Sequence, residues 1–297
     1  RIRLRSARKH PDCLGHETPQ GHPEQIARLE VLLKALERLP VEVLSAPLAQ
    51  EADLLSVHPQ HYLDALRAAS PAHGSAALDA DTHLSAGSLK AAYRAAGGVL
   101  LAVDQVLSGA AQNAFVATRP PGHHAETAKA MGFCLFGNAA LGAKYALDRY
   151  GLQHVAVVDF DVHHGNGTQG IFYSRKDVLT VSIHADPARF YPFFWGQAHE
   201  RGAGEGLGYN LNLPLARGTA DEAYLQTLAV ALQRIKAFGE LATRFEQHLA
   251  RITQQDLRPA PERQCPLLSA EAVVHSPVSD AGGFHEKVKA IAVRQLV

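Results

Sequence analysis

The chain has 297 residues, 46% apolar and 20% charged, with 29 Lys plus Arg against 29 Asp plus Glu, so its formal net charge is zero. That length can bury the core of one large α/β domain or two small ones, and the neutral balance gives no electrostatic reason to expect a nucleic acid or a membrane surface as partner. Cys13, Cys134 and Cys265 are widely spaced and form no CxxC, which argues against a disulfide framework or a cysteine zinc site and fits a reducing, cytoplasmic setting.

The basic decapeptide RIRLRSARKH leads into no apolar signal core, and no run reaches the roughly 20 apolar residues of a membrane span. It reads as a disordered end rather than a recognition arm, on a chain whose start has been trimmed: the first residue is Arg and the only methionine is Met131. From Gln25 to Arg38, Ile26, Leu29, Leu32, Leu33 and Leu36 fall at helical spacing until Pro40 stops the pattern. Further helical patterns cover 58–69, 88–109, 138–151 and 221–239. Between them lie short apolar runs, AFVAT (114–118), VAVVDF (155–160) and VLTVSIH (178–184). Runs unbroken by polar alternation are what parallel strands look like when helices cover both faces, so the order predicts a layered α/β fold with one main sheet. The texture changes near Gly239. Residues 240–265 hold no apolar run of strand length, and LRPAPERQCP reads as a loop. The tail has a short apolar piece, LLSAEAVVHS, a Gly282-Gly283 pair and a final helical stretch, EKVKAIAVRQLV. This predicts a domain over 1–238, with 239–297 a divergent or truncated part of the same domain, since about 58 residues make a thin independent core.

Seventeen histidines direct attention to metal and proton-transfer chemistry. VAVVDFDVHHGNGT places Asp161 and His163 in the loop at the carboxyl end of a strand, where ligands bind in open parallel α/β sheets. Two apart on extended backbone, they project to the same side, so a carboxylate oxygen and an imidazole nitrogen can reach one Zn²⁺ at about 2.0–2.2 Å. Gly165 and Gly167 supply a sharp backbone into the next helix. The same residues also suit a plain polar turn in which Asp161 caps the following element. A second cluster, RPPGHHAE (119–126), puts His123 and His124 behind another strand, where one imidazole can act as base while its neighbour carries charge. Asp159 and Asn166 are natural acceptors to fix their tautomers. Alone this too suits a structural turn; two dihistidine loops behind two strands are hard to assign to chance.

RPPGHHAE, MGFCLFGNAALGA, VVDFDVHHGNGTQGIFY and VLTVSIHADPARFYPFFWG together resemble the histone deacetylase superfamily of zinc amidohydrolases. With the following ERGAGEGLGYNLNLPL, the last is similar to its bacterial acetylpolyamine amidohydrolase branch. The likeness runs from about residue 10 to about 238. It implies an arginase/deacetylase-type three-layer fold, a central parallel sheet of eight strands covered by helices on both faces. It implies Asp161 and His163 as zinc ligands, His124 as main general base and acid, and His123 as its electrostatic support. Asp159 would pair with His123 and Asn166 with His124. Gly132, Phe133 and Tyr191 would line a tunnel for the acylated amine, and Asp159, Asp161, His163, Ser182 and Ile183 would surround a structural K⁺. The partner would be a small-molecule or peptidyl acetylated amine. A K⁺ requirement and a homodimer are carried by the resemblance alone. Chemically the set is coherent, since zinc activates water and polarises the carbonyl while an imidazole shuttles the proton.

The chain departs from the family at its C-terminal side. No Gly-x-Asp loop follows a later strand to give a third zinc ligand, and the expected Gly-Gly-Tyr is replaced by Asp280-Ala-Gly-Gly-Phe284. A phenyl ring donates no hydrogen bond, and losing one oxyanion donor costs on the order of 10²–10³ in rate. This stretch reads as deleted, diverged or shifted in frame, with Asp256 and Asp280 its remaining carboxylates. A catalytically impaired relative that binds acylated amines or a protein partner is therefore the alternative to an active deacetylase. A di-manganese ureohydrolase is disfavoured, because its further metal-loop aspartate falls where this chain has Gly165. Among lesser features, GAGEGLG (202–208) reads as a flexible loop, no HExxH occurs, and Gln25-Ile26 replaces the family's usual Arg-Pro. RFYPFFWG (189–196) suits core packing, a tunnel rim or a subunit contact.

Overall fold

The computed structural model describes residues 6–238, 270–275 and 288–294. Among the described residues ten strands and seven α-helices follow in chain order: β1 (Ser6–Lys9), α1 (Ile26–Leu36), β2 (Glu42–Ser45), α2 (Glu51–Leu54), α3 (Gln60–Ala69), β3 (Ser75–Ala77), β4 (His83–Ser85), α4 (Ser88–Leu107), β5 (Asn113–Val116), α5 (Asn138–Tyr150), β6 (His154–Asp159), α6 (Asn166–Phe172), β7 (Val178–Ala185), β8 (Asn210–Leu215), α7 (Asp221–Phe238), β9 (Ala270–His275) and β10 (Val288–Arg294). Eight strands form one sheet in the order β2-β1-β5-β9-β10-β6-β7-β8, while β3 and β4 make a separate hairpin. Every neighbouring pair of the large sheet is parallel except the two made by β9, which runs antiparallel to β5 and β10.

The apolar runs become central strands because both faces are covered. Along β6, Val155 and Val157 pack into the core formed with α3, α4 and α5, whereas Ala156 and Val158 join Leu179, Val181 and Ile183 of β7 against Leu228, Ala231, Leu232 and Ile235 of α7. All four β6 residues are essentially inaccessible, so period-2 alternation carries no polar face to read. A third cluster seats α1 on the other end of the sheet through Leu29, Leu32 and Leu36 against Ala7. The alternate face of β7 is different: Thr180, Ser182 and His184 are buried and polar, beside Asn210 and Asn212 of β8.

Two expectations are corrected. The basic N-terminal stretch is not a disordered end throughout, since Ser6–Lys9 is strand β1, paired with β2 and β5, and its Ser6, Ala7 and Arg8 are buried. Its strand character comes from tertiary pairing, for Ser-Ala-Arg-Lys offers no apolar signal of its own. The final stretch is not helical but holds strand β10, parallel to β6 and antiparallel to β9. Val288, Ile291 and Val293 are β-branched and suit a strand between two others, and this outweighs the helical spacing. The strands of the 239–297 stretch thus enter the middle of the sheet, between β5 and β6. Asp256, Cys265, Asp280, Gly282, Gly283 and Phe284 lie outside the described residues, as do the expected loop and the sought Gly-x-Asp and Gly-Gly-Tyr positions.

Candidate active site

Strands β5, β6 and β7 all run in one direction, so the segments leaving their carboxyl ends emerge on one edge of the sheet. The segment after β5 spans the width of β9 and β10 to meet the segment after β6. This crossing brings the two dihistidine loops together. The Gly167 N–H donates to the His123 carbonyl at 3.0 Å, and ideal Cβ atoms at Gly165 and Gly167 would strike Asp159 Oδ2 at 2.3 Å and the Ala125 carbonyl at 2.2 Å. Neither glycine has positive φ. They provide room for close approach rather than the unusual backbone anticipated for a sharp turn.

His123 and His124 are buried, with ring centroids 4.0 Å apart. His123 Nδ1 lies 2.7 Å from Asp159 Oδ2, and His124 Nδ1 lies 2.7 Å from Asn166 Oδ1. The Asn166 amide is oriented by its other end, because Nδ2 donates to Glu126 Oε1 at 3.0 Å and faces Met131 Sδ. The oxygen toward His124 must therefore accept, which puts the imidazole proton on Nδ1 and leaves Nε2 bare. Burial, reinforced by the charge of His123 and opposed by the Asn166 hydrogen bond, holds the His124 pKa well below the ordinary histidine range. His124 is thus a neutral imidazole able to take a proton.

Asp161 and His163 do lie together, in a bend at 161–163 rather than on the extended backbone their spacing assumed. Asp161 Oδ1 accepts the His163 N–H at 2.7 Å and lies 3.2 Å from His163 Nδ1, while the Asp161 N–H donates to Asp159 Oδ1 at 3.1 Å. Asp161 Oδ2 is buried without a hydrogen-bond partner. Two donors each about 2.1 Å from a tetrahedral ion lie about 3.4 Å apart, so this pair and the orphaned oxygen fit two corners of a zinc site. Among the described residues no group of three His, Cys, Asp or Glu is arranged to hold a metal.

The other anticipated residues lie around these. Gly132, at φ +54°, presses on the His124 ring, where an ideal Cβ would come within 2.4 Å of Cδ2. Tyr191 stands edge-on to His124 at 5.0 Å between centroids, and Phe190 lies 5.6 Å from the ring of His163. Phe133, at φ +69°, contacts the His22 ring at 4.7 Å and is held by its N–H to Thr82 Oγ1. Ser182 is the ladder partner of Asp159, with Ile183 next along β7, and the Ala185 N–H ties the strand end to the Val162 carbonyl. Ser182 Oγ itself pairs with His184 Nδ1 at 2.8 Å. Phe190, Phe193, Phe194 and Trp195 are exposed, so these four aromatics of RFYPFFWG are not core, which leaves the rim and the subunit contact. GAGEGLG is docked rather than loose, its Ala203 N–H donating to the Tyr173 carbonyl.

Several participants escaped the sequence reading. Glu24 receives a two-pronged hydrogen bond from Arg119, with N···O distances of 2.5 and 2.6 Å, and lies 3.4 Å from His16, all three side chains being buried. Burial opposes its ionisation, but the His16 and Arg119 hydrogen bonds outweigh this and hold its pKa at about 2. His164 is buried against Gln169 and Asn212, and burial beside His184 depresses its pKa to about 3. Arg119, His164, Gln169 and Glu200 stood inside the family-like motifs without a role of their own; Glu24 carried no signal beyond residue type.

Comparison with known proteins gives a consistent picture. Residues 22–242 match the family described as Histone deacetylase domain. The Histone deacetylase-like amidohydrolase of Pseudomonas aeruginosa is 43% identical over 226 residues, which cover 76% of this chain and 57% of that protein. The Acetylpolyamine amidohydrolase of Burkholderia pseudomallei is 39% identical over 254 residues, covering 74% and 72%. This chain therefore spans little more than half of the first relative's length. Among solved structures, the HDA15 HD domain superposes with a TM-score of 0.75 at 34% identity, covering 79% of this chain and 71% of that one. The acetylpolyamine aminohydrolase from Burkholderia pseudomallei gives 0.71 at 34%, covering 79% of each.

Proposed function

We propose, for a chain that belongs to the histone deacetylase family, that it is a zinc-dependent amidohydrolase releasing acetate from acetylated amines, polyamines or acetyl-lysine. The observation that carries this reading is the pairing of two oriented imidazoles, His123 on Asp159 and His124 on Asn166, beside the convergent Asp161 and His163. Its support in the comparisons is that relatives are named acetylpolyamine amidohydrolases.

Asp161 and His163 would hold the zinc, and bound there it supplies Lewis acidity toward the amide carbonyl and the attacking water. The remaining chemistry falls to the protein's own groups. His124 Nε2, bare because Nδ1 is committed to Asn166, takes the proton from water and returns it to the leaving amine nitrogen. The His123 ring, 4.0 Å away, disfavours positive charge on its neighbour, while the Asp159 carboxylate orients it. Gly132, Phe133 and Tyr191 wall the approach and exclude bulk water. A structural K⁺ would sit where Asp159, Asp161 and His163 meet Ser182 and Ile183.

A second reading, a relative that binds acylated amines without turning them over, is favoured by one feature of the sequence: the glycine pair at 282–283 is followed by Phe284 and not by the tyrosine of the family's Gly-Gly-Tyr pattern. Metal analysis with turnover of an acetylated polyamine and an acetyl-lysine peptide separates the two. Zinc with acetate release supports the enzyme; binding of the acetylated amine without acetate release supports the alternative.

A further inference from the structure

Tyr191 and Phe190 reach the two histidines from a loop, 189–196, whose outer residues are exposed aromatics with no core to hold them. What fixes the loop is at its end. Glu200 Oε2 accepts the Gly196 N–H at 3.0 Å and the Gln169 side-chain amide at 2.5 Å, and Oε1 accepts the Gln197 N–H at 3.1 Å. The Glu200 backbone tightens the same knot, because its N–H donates to the Gln197 carbonyl and its carbonyl accepts from the Asn210 side-chain amide. Gly196 is seated so closely that a Cβ would meet the His164 and His184 rings at 2.7 Å, and its carbonyl lies 2.9 Å from His184 Nε2.

Gln169 carries the connection inward. Its Oε1 faces His164 Nε2 at 3.0 Å, in the residue directly after His163, and its helix α6 begins at Asn166, the partner of His124. One carboxylate thus joins the outer wall, the loop of Asp161 and His163, and the helix that orients His124. We propose that Glu200 is a positioning residue: by gathering the Gly196, Gln197 and Gln169 donors it locks the aromatic rim to α6 and sets Tyr191 over His124. A carboxylate receiving three N–H groups cannot be replaced without loss by an amide, whose NH₂ would meet a donor.

Trp195 is the only tryptophan and adjoins Gly196, so its emission reads the loop without any need for turnover. In E200A that remains folded by circular dichroism and cooperative melting, loss of the clamp raises acrylamide quenching of Trp195 about twofold or more, and E200Q shifts it part of the way. The proposal rests on the function proposed above only for its kinetic arm, where KM for an acetylated polyamine rises about fivefold in E200A, more than kcat falls, and E200Q recovers part of the loss. Unchanged quenching in folded E200A overturns the proposal. If E200A fails to fold, E200Q decides by the same readout, an unshifted Trp195 again overturning it. A wild-type protein without turnover would defeat the enzyme reading and leave the fluorescence arm to judge Glu200.

Discussion

Substitution of Gly132 by alanine tests whether the position of His124 matters as the geometry requires. The new methyl would lie 2.4 Å from His124 Cδ2 and 2.7 Å from Cγ, against 3.4 Å or more for ordinary contact, so the ring must retreat by about 1 Å, a misplacement that can cost about 10²-fold in rate. The His124–Asn166 bond, 2.7 Å in the native site, breaks with such a movement. Alanine at φ +54° adds about 1 kcal/mol of backbone strain and the overpacking about 1–3 kcal/mol, for a destabilisation of about 2–4 kcal/mol. Urea unfolding and kcat/KM for acetate release measure the two effects separately. Gly170 is the control: it sits in α6 and a Cβ there meets nothing within 4 Å, so G170A keeps full activity and gains about 0.5–1 kcal/mol. A folded G132A with wild-type kcat/KM would refute the assignment of His124 as the proton-transfer group.

N166L removes the acceptor of His124 Nδ1 and lowers kcat about 10- to 100-fold with little change in KM; equal activity in steady-state kinetics contradicts the tautomer assigned here. Because burial and His123 depress the His124 pKa, the imidazole stays neutral as pH falls through 6.5, so the acid limb of kcat/KM lies below that value, and a limb at or above it would count against His124 as base. Glu24, ordinarily near 4.5 and held at about 2 in the fold, contributes about 3 kcal/mol that is present above its unfolded pKa and lost as pH falls from 4.5 toward 2. Urea melts across that range should show the loss in the wild type and its absence in E24Q. E24Q itself, by stranding buried Arg119, is less stable at pH 7 by about 3–5 kcal/mol, and an unaltered midpoint would refute the pairing.

What the sequence made legible was what rests on local pattern. Val155–Asp159 announced a two-sided strand because all its residues are apolar until the aspartate that ends it. Asp161 and His163 announced a shared side because two residues apart on extended backbone point the same way; their side chains do meet, but through a bend at 161–163 in which Asp161 Oδ1 accepts the His163 N–H. Elements set by pairing were hidden. Ser6–Lys9 and Glu42–Ser45 have no apolar period, and Val288–Arg294 spaces its apolar residues as a helix would while the sheet claims them. The site's supports were hidden for the same reason: Glu24 meets Arg119 across 95 positions of sequence and Gln169 meets Glu200 across 31, and no spacing rule reaches so far.

The most direct test is to purify the protein, confirm its mass, and measure bound zinc together with acetate released from an acetylated polyamine, alongside H124A. A zinc amidohydrolase with His124 as its base holds about one zinc per folded chain and releases acetate at a rate that falls by about 10²-fold or more in H124A. Folded protein that takes up no zinc and releases no acetate would contradict that reading.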